Sequence, residues 1–173
     1  MQPLDPDALS LLREWIEKAD ADLRVAELMA AEAALNLRIR EIVGFHCQQA
    51  VEKYLKALLT RCQIEFPKTH DIETLLGLLE RVDRSSGEAM READWLSPFG
   101  VKVRYPGDAP EMLPGDEAKA LDLAHCVKRV VSSNLGVSFG PQFWNAGAVF
   151  LHRTSAGRII MYHGRGTGLS TEN

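Results

Sequence analysis

Apolar residues recur at helical spacing along most of the chain. The first such row has spacings of three and four residues and consists of Leu12, Ile16, Ala19, Leu23, Ala26 and Ala30. Acidic and basic residues occupy the other positions of this segment. Such a pattern predicts an amphipathic helix over residues 8–34 with one face turned to a core.

The second segment has a broader apolar face. One row consists of Val43, Cys47, Ala50, Tyr54 and Ala57, and a neighbouring row of Val51, Leu55, Leu58 and Cys62. Together the rows predict a deeply buried helix over residues 39–63. Residues 63–70 follow as a connector, with Pro67 where proline commonly follows a helix end.

Three shorter helices complete the pattern. A third begins near Asp71 or Ile72, with Leu75, Leu78, Leu79 and Val82 on its apolar face, and residues 85–87 are expected to break it. A fourth is predicted over 87–97, ending before Pro98. A loop rich in proline and glycine spans 98–116, and a fifth helix spans 115–134. The predicted fold class is therefore all-α, an up-and-down bundle of about five helices within a domain of residues 1–135.

The composition changes in residues 136–173, which we treat as a separate tail without a recognised domain. Seven of the thirteen glycines lie here, with Glu172 as the one acidic residue. Residues 148–152 and 158–163 are apolar and flank a short polar turn, so a β-hairpin is possible. We favour a poorly ordered tail, because an isolated hairpin is marginally stable in water.

The remaining composition restricts the class of protein. Cys47, Cys62 and Cys126 form no CxxC or CxxH pair, which argues against a zinc site, and no metal or other cofactor is predicted. Free thiols suit a cytoplasmic protein. The N-terminus lacks the basic start of a signal peptide, and no apolar run is long enough to cross a membrane.

A polar row on the second helix is the main candidate site. His46, Gln49, Lys53 and Lys56 are spaced by three, four and three residues, which places them on one stripe away from the apolar rows. The connector adds two further candidates, Lys68 and His70. Imidazole, amide and ammonium groups together suit phosphate or the polar edges of nucleotides. The alternative is the ordinary solvated face of an amphipathic helix.

The helix start after the connector adds to this hypothesis. Its backbone N–H groups are potential anion receptors. If the second and third helices are antiparallel, Lys56 should lie nearer the corner at Lys68 to His70 than His46 does.

Four segments of the chain resemble the HEPN family, in the order found there. The signature helix corresponds to Phe45-His-Cys-Gln-Gln-Ala-Val-Glu-Lys-Tyr-Leu-Lys-Ala-Leu-Leu59, and Lys68-Thr-His-Asp-Ile72 to the segment after it. Ala21-Asp-Leu-Arg-Val-Ala26 resembles the first helix of the family, and Arg104-Tyr-Pro106 the element before its last helix. The resemblance covers about residues 10–134.

This resemblance implies a helical bundle, usually a homodimer, that is connected with nucleotides or RNA. Many such proteins are paired with a minimal nucleotidyltransferase as toxin–antitoxin systems, and others are ribonucleases. The ribonuclease branch carries Arg, four to six residues, then His on its late helix, whereas this chain has His125-Cys-Val-Lys-Arg129 there. Arg40 and His46 have the required spacing but lie on the second helix, so they are only weak catalytic candidates.

Three functions remain open from the sequence. The preferred one is a non-enzymatic binding module that works with a nucleotidyltransferase partner, in which Tyr105 stacks on a base and Arg104 holds a phosphate. Arg104 is equally well explained as a clamp that fixes its loop. A metal-independent ribonuclease, using Arg40 with His46 or His70 with Arg104, is the first alternative. A structural dimerisation subunit without a ligand is the second.

Overall fold

The computed structural model describes residues 4–33, 36–101 and 111–135, together with the backbone of two strands at 149–153 and 159–163. The helices are α1 (Pro6–Ala33), α2 (Leu37–Arg61), α3 (Ile72–Glu80), α4 (Arg84–Met90), α5 (Ser97–Val101) and α6 (Asp116–Leu135), with a 3₁₀ helix at Arg91–Leu96. The strands are β1 (Val149–Arg153) and β2 (Ile159–His163). The all-α fold class is confirmed.

The two long helices α1 and α2 form an antiparallel pair at the centre of the bundle. Asp20 of α1 contacts Tyr54 of α2, whereas Asp22, further along α1, contacts His46, further back along α2. Both predicted apolar rows of α2 are buried except for Cys62 at its end, and so is the α1 row up to Ala26. Helical periodicity therefore identified this part of the core correctly.

The segment between α3 and α5 differs from the prediction in three respects. The break falls at residues 81–83, because the Asp83 side chain accepts a hydrogen bond from the Ser86 backbone and caps α4. Residues 85–87 lie inside α4, where Gly87 allows close packing: a Cβ there would meet Glu80 Cγ at 2.3 Å. Val82 is 59% exposed and does not belong to the apolar face of α3.

The predicted fourth helix is divided into α4, the 3₁₀ helix and α5. The prediction that a helix ends before Pro98 is wrong. Pro98 lies in the first turn of α5. Proline is tolerated at that position because its missing N–H has no partner within the helix. Ser97 at the same turn accepts a hydrogen bond from the backbone of Ile72 and so ties α5 to α3.

The last helix, α6, agrees with its predicted extent and is linked to α1 by two charged side-chain contacts. Its apolar row of Ala120, Ala124, Val127 and Val131 is buried. Lys128 pairs with Asp20 at 2.7 Å, and His125 lies 3.5 Å from Glu27. Among the described residues, no helix combines the length and the apolar character that crossing a membrane requires.

Contacts divide the chain into two units, Met1–Val131 and Ser132–Asn173. In the second unit β1 and β2 pair antiparallel, with Val149 opposite His163 and Arg153 opposite Ile159. This is the hairpin that the sequence left as an alternative to a poorly ordered tail.

Candidate functional site

The carboxylate of Asp22 holds two members of the predicted polar row. Nδ1 of His46 lies 2.9 Å from Oδ1 of Asp22, and Nζ of Lys53 lies 2.6 Å from Oδ2. Because an ionised carboxylate only accepts hydrogen bonds, the imidazole proton in this contact lies on Nδ1. We call these three residues the Asp22 triad. Their side chains are half-buried, with 19% of Asp22, 24% of His46 and 16% of Lys53 exposed.

The electrostatics of the triad favour an ionised Asp22. Burial by itself would raise the pKa of Asp22, but the hydrogen bonds and charges of His46 and Lys53 outweigh this cost and leave the pKa below its usual 3.8. The lysine is positioned further by Gln49, whose Oε1 accepts a hydrogen bond of 2.9 Å from Nζ. The triad is therefore a fixed group of charges, with its anion and its lysine in direct contact.

A second group with the same composition forms around Glu52. Oε1 of Glu52 accepts a hydrogen bond of 2.7 Å from Nζ of Lys56, and Oε2 lies 3.1 Å from Nδ1 of His70. Lys56 also donates to the Thr69 carbonyl at 3.0 Å. We call Glu52, Lys56 and His70 the Glu52 triad. It fastens the connector to α2, which confirms that Lys56 lies at the corner formed by residues 68–70.

Two glutamine side chains join the triads. Nε2 of Gln49 donates to Oε1 of Gln48 at 2.7 Å, and Nε2 of Gln48 donates to Oε2 of Glu52 at 3.2 Å and to the His70 carbonyl at 2.9 Å. We call this pair the amide bridge. Gln48 is fully buried, and Gly100 of α5 lies against its side chain. The result is a continuous polar chain from His46 to His70.

The polar row is therefore not the solvated helix face that the sequence left as an alternative. Gln49 is 9% and Lys56 6% exposed. Lys56 lies beneath aromatic rings, with Nζ 5.3 Å from the centroid of Trp15 and 6.0 Å from that of Phe66. The accessible residues of the polar row are His46 and Lys53. On the connector, His70 has 58% of its side chain exposed, and Lys68 is also exposed.

The start of α3 is already occupied by protein groups. The Asp71 side chain accepts a hydrogen bond from the Thr74 backbone at 3.0 Å, and the Ile72 N–H donates to Ser97. A capping carboxylate at this end repels an incoming anion. The anion receptor that the sequence suggested at this helix end is therefore not available.

Arg40 is used to fix the start of α2. Its guanidinium donates to the Met112 carbonyl at 3.1 Å and lies 3.3 Å from the Glu117 carboxylate of α6, with only 9% of the side chain exposed. His46 contacts α1 instead. Two residues that are six positions apart on a helix are turned about 120° from each other around its axis. Arg40 and His46 therefore lie on different sides of α2.

The other predicted site residues, Arg104 and Tyr105, lie outside the described residues. Sequence reasoning missed Asp22, Gln48 and Glu52 as members of the site. A glutamate four residues before a lysine is a known favourable helical pair, so Glu52 and Lys56 could have been linked from spacing alone. Nothing local links Asp22 to His46, which is 24 residues away.

One cleft on the described surface is acidic and does not suit phosphate. A cleft of about 490 Å³ is lined by five carboxylates, those of Asp71, Glu73, Asp94, Glu111 and Asp116. Three of them accept local hydrogen bonds, Asp71 from Thr74, Asp94 from Ser97 and Asp116 from the Leu113 backbone. Within the described ranges, no three His, Cys, Asp or Glu side chains are grouped as metal ligands.

Comparison with known families matches the chain to the HEPN domain. The model of the HEPN domain matches residues 12–135, which include both triads and the amide bridge. No curated protein sequence matches the chain significantly.

Proposed function

The chain belongs to the HEPN domain family, and we propose that it binds a nucleotide or RNA without cleaving it. Family membership identifies a nucleotide- or RNA-related module. The half-buried edge of the polar chain supports the finer proposal. There, His46 and Lys53 are held in place by Asp22 while part of each remains accessible.

The observation that carries this proposal is that Asp22 contacts both side chains. Side chains that are already fixed lose little conformational entropy when a ligand arrives. An imidazole and a carboxylate that a shared ammonium partner helps to fix offer hydrogen-bonding positions to a polar ligand. His70 and Lys68 extend the accessible part of this edge at the connector.

The contacts of Arg40 argue against a nuclease that uses Arg40 together with His46. Phosphate cleavage requires an arginine that can reach the phosphate and an imidazole that can transfer a proton near it. Arg40 is engaged by Met112 and Glu117, and it lies on another side of α2 from His46. The geometry therefore favours binding over catalysis by this pair.

We further propose a homodimer that works with a minimal nucleotidyltransferase partner. Exposed leucine and isoleucine side chains lie in the last turns of α1 and the first turns of α2. Leu28 is 55%, Leu37 39% and Ile42 37% exposed. An exposed apolar face is typical of protein interfaces, and we propose that these three side chains contribute to such a face. Light scattering of the purified protein tests the dimer, and Leu28→Lys should shift it toward the monomer.

Thermal denaturation in the presence of nucleotides and short RNA tests the binding function. A ligand that binds only the folded state raises the melting temperature. We expect stabilisation of the wild type that is lost in Lys53→Met. The matched control is Lys18→Met, because Lys18 is also a lysine with a carboxylate partner, but it is 56% exposed and its partner is Glu14 of its own helix.

Incubation with total RNA in EDTA tests the nuclease alternative. We expect no cleavage by the wild type. Cleavage that disappears in His46→Ala or His70→Ala would show that the protein is a metal-independent ribonuclease and would refute the binding-only proposal. Co-purification with the product of a neighbouring nucleotidyltransferase reading frame tests the partner.

A further inference from the structure

The Asp22 triad presents an anion at the edge where a nucleotide is proposed to bind. Lys53 and Asp22 cancel each other in formal charge, so any excess positive charge in the triad depends on His46. The Asp22 side chain is about as exposed as that of Lys53, at 19% against 16%. A phosphate that approaches Lys53 therefore also approaches Asp22.

Lys53 has little free capacity for an incoming anion. Its three donors meet Oδ2 of Asp22 at 2.6 Å, Oε1 of Gln49 at 2.9 Å and the Gln49 carbonyl at 3.4 Å. A phosphate would have to displace one of these acceptors, of which Asp22 is the closest and the only charged one. The second triad is no better placed, because its lysine is buried beneath Trp15.

The triad retains acceptor positions for a neutral ligand. Each carboxylate oxygen can accept two hydrogen bonds, and among the described residues the contacts with His46 and Lys53 use one at each oxygen. Hydroxyl and N–H groups of a nucleoside are donors that fit the remaining positions. The Phe45 ring, 5.2 Å from the His46 ring at an interplanar angle of 76°, supports the orientation of the imidazole beside this carboxylate.

We propose that Asp22 determines specificity at this edge by accepting the hydroxyl or N–H donors of a nucleoside and excluding its phosphate. This inference rests on the proposed binding function and narrows it to the uncharged part of the nucleotide. Asp22 acts here as a ligand-contacting residue, in addition to positioning His46 and Lys53.

Calorimetric titration with the four ribonucleosides, their 5′-monophosphates and inorganic phosphate tests this. For the nucleoside that binds, we expect the wild type to bind the monophosphate with a Kd within about threefold of that for the nucleoside, and not to bind inorganic phosphate. In Asp22→Asn the monophosphate should bind about tenfold more tightly relative to the nucleoside, because a like charge has been removed. Glu14→Gln is the matched control, since it removes a paired carboxylate from an exposed site on the same helix.

The outcomes separate the two proposals. A wild type that prefers the monophosphate by more than tenfold, or an Asp22→Asn protein with an unchanged ratio, overturns the role of Asp22 and leaves the binding function standing. A wild type that binds neither nucleosides nor nucleotides overturns the role of Asp22, and one that also fails to bind short RNA overturns both proposals. If Asp22→Asn does not fold, the ratio of the Kd values for monophosphate and nucleoside is compared between the wild type and Asp22→Glu. Asp22→Glu keeps the charge, so it should keep the wild-type ratio, and a different ratio overturns the role of Asp22.

Discussion

Gln49 donates a hydrogen bond to Gln48, its neighbour in sequence, through their side-chain amides at 2.7 Å. Adjacent residues on a helix do not normally face each other. Here both amides are held by further partners, Gln49 by Lys53 and Gln48 by Glu52. This contact makes one polar chain out of two separate carboxylate–histidine–lysine groups.

Replacing Gln48 should therefore be costly. Gln48→Leu removes the acceptor of the Gln49 Nε2 amide and the Nε2 donor shared by Glu52 and the His70 carbonyl, and a buried polar group that loses its partner costs about 1–3 kcal/mol. We expect a loss of about 2–4 kcal/mol in the free energy of unfolding, measured by urea denaturation. A loss below about 0.5 kcal/mol would mean that the amide bridge contributes little.

Acid should weaken the fold through Asp22. Its folded pKa lies below 3.8, so its stabilising contribution is present above pH 3.8 and is lost as the pH falls through the lower, folded value. Asp22→Asn should therefore show a smaller decrease in urea midpoint between about pH 5 and pH 2 than the wild type does. Glu14→Gln should follow the wild-type curve. Parallel curves for all three proteins would contradict the coupling of Asp22 to His46 and Lys53.

Two glycine-to-alanine substitutions should have opposite effects. A Cβ at Gly100 would lie 2.5 Å from the Gln48 side chain, so Gly100→Ala should disturb the amide bridge and cost about 1–3 kcal/mol. Nothing lies within 4 Å of a Cβ at Gly77, inside α3, so Gly77→Ala should stabilise the protein by about 0.5–1 kcal/mol. Melting temperatures of the two variants check both signs.

The cysteines should react at different rates. Cys47 is fully buried, and burial together with the charge of Glu27 raises the pKa of its thiol to about 12. At pH 8 it should resist iodoacetamide until the protein is unfolded in urea, whereas Cys62 and Cys126 are partly exposed and should be labelled earlier. Mass spectrometry of the labelled peptides measures this. Rapid labelling of Cys47 in the folded protein would contradict its position in the core.

Much of the fold could be predicted from apolar spacing. The rows through Ile16 on α1, Tyr54 on α2 and Val127 on α6 are buried as expected. Helical periodicity is a local property, so it needs no knowledge of the partner helix. The errors lie between α3 and α5, where Pro98 and Gly87 were interpreted as breakers although a helix start and a close helix contact accommodate them.

The sequence by itself determined that His46, Gln49, Lys53 and Lys56 share one side of a helix in a HEPN domain. Only the tertiary structure decided that this side is largely buried and that its two lysines are paired with Asp22 and Glu52. The physical reason is that a polar residue is buried only where other groups satisfy it. Those groups come here from α1, the connector and α2 itself, and the burial of α2 between them cannot be seen in the spacing of α2 alone.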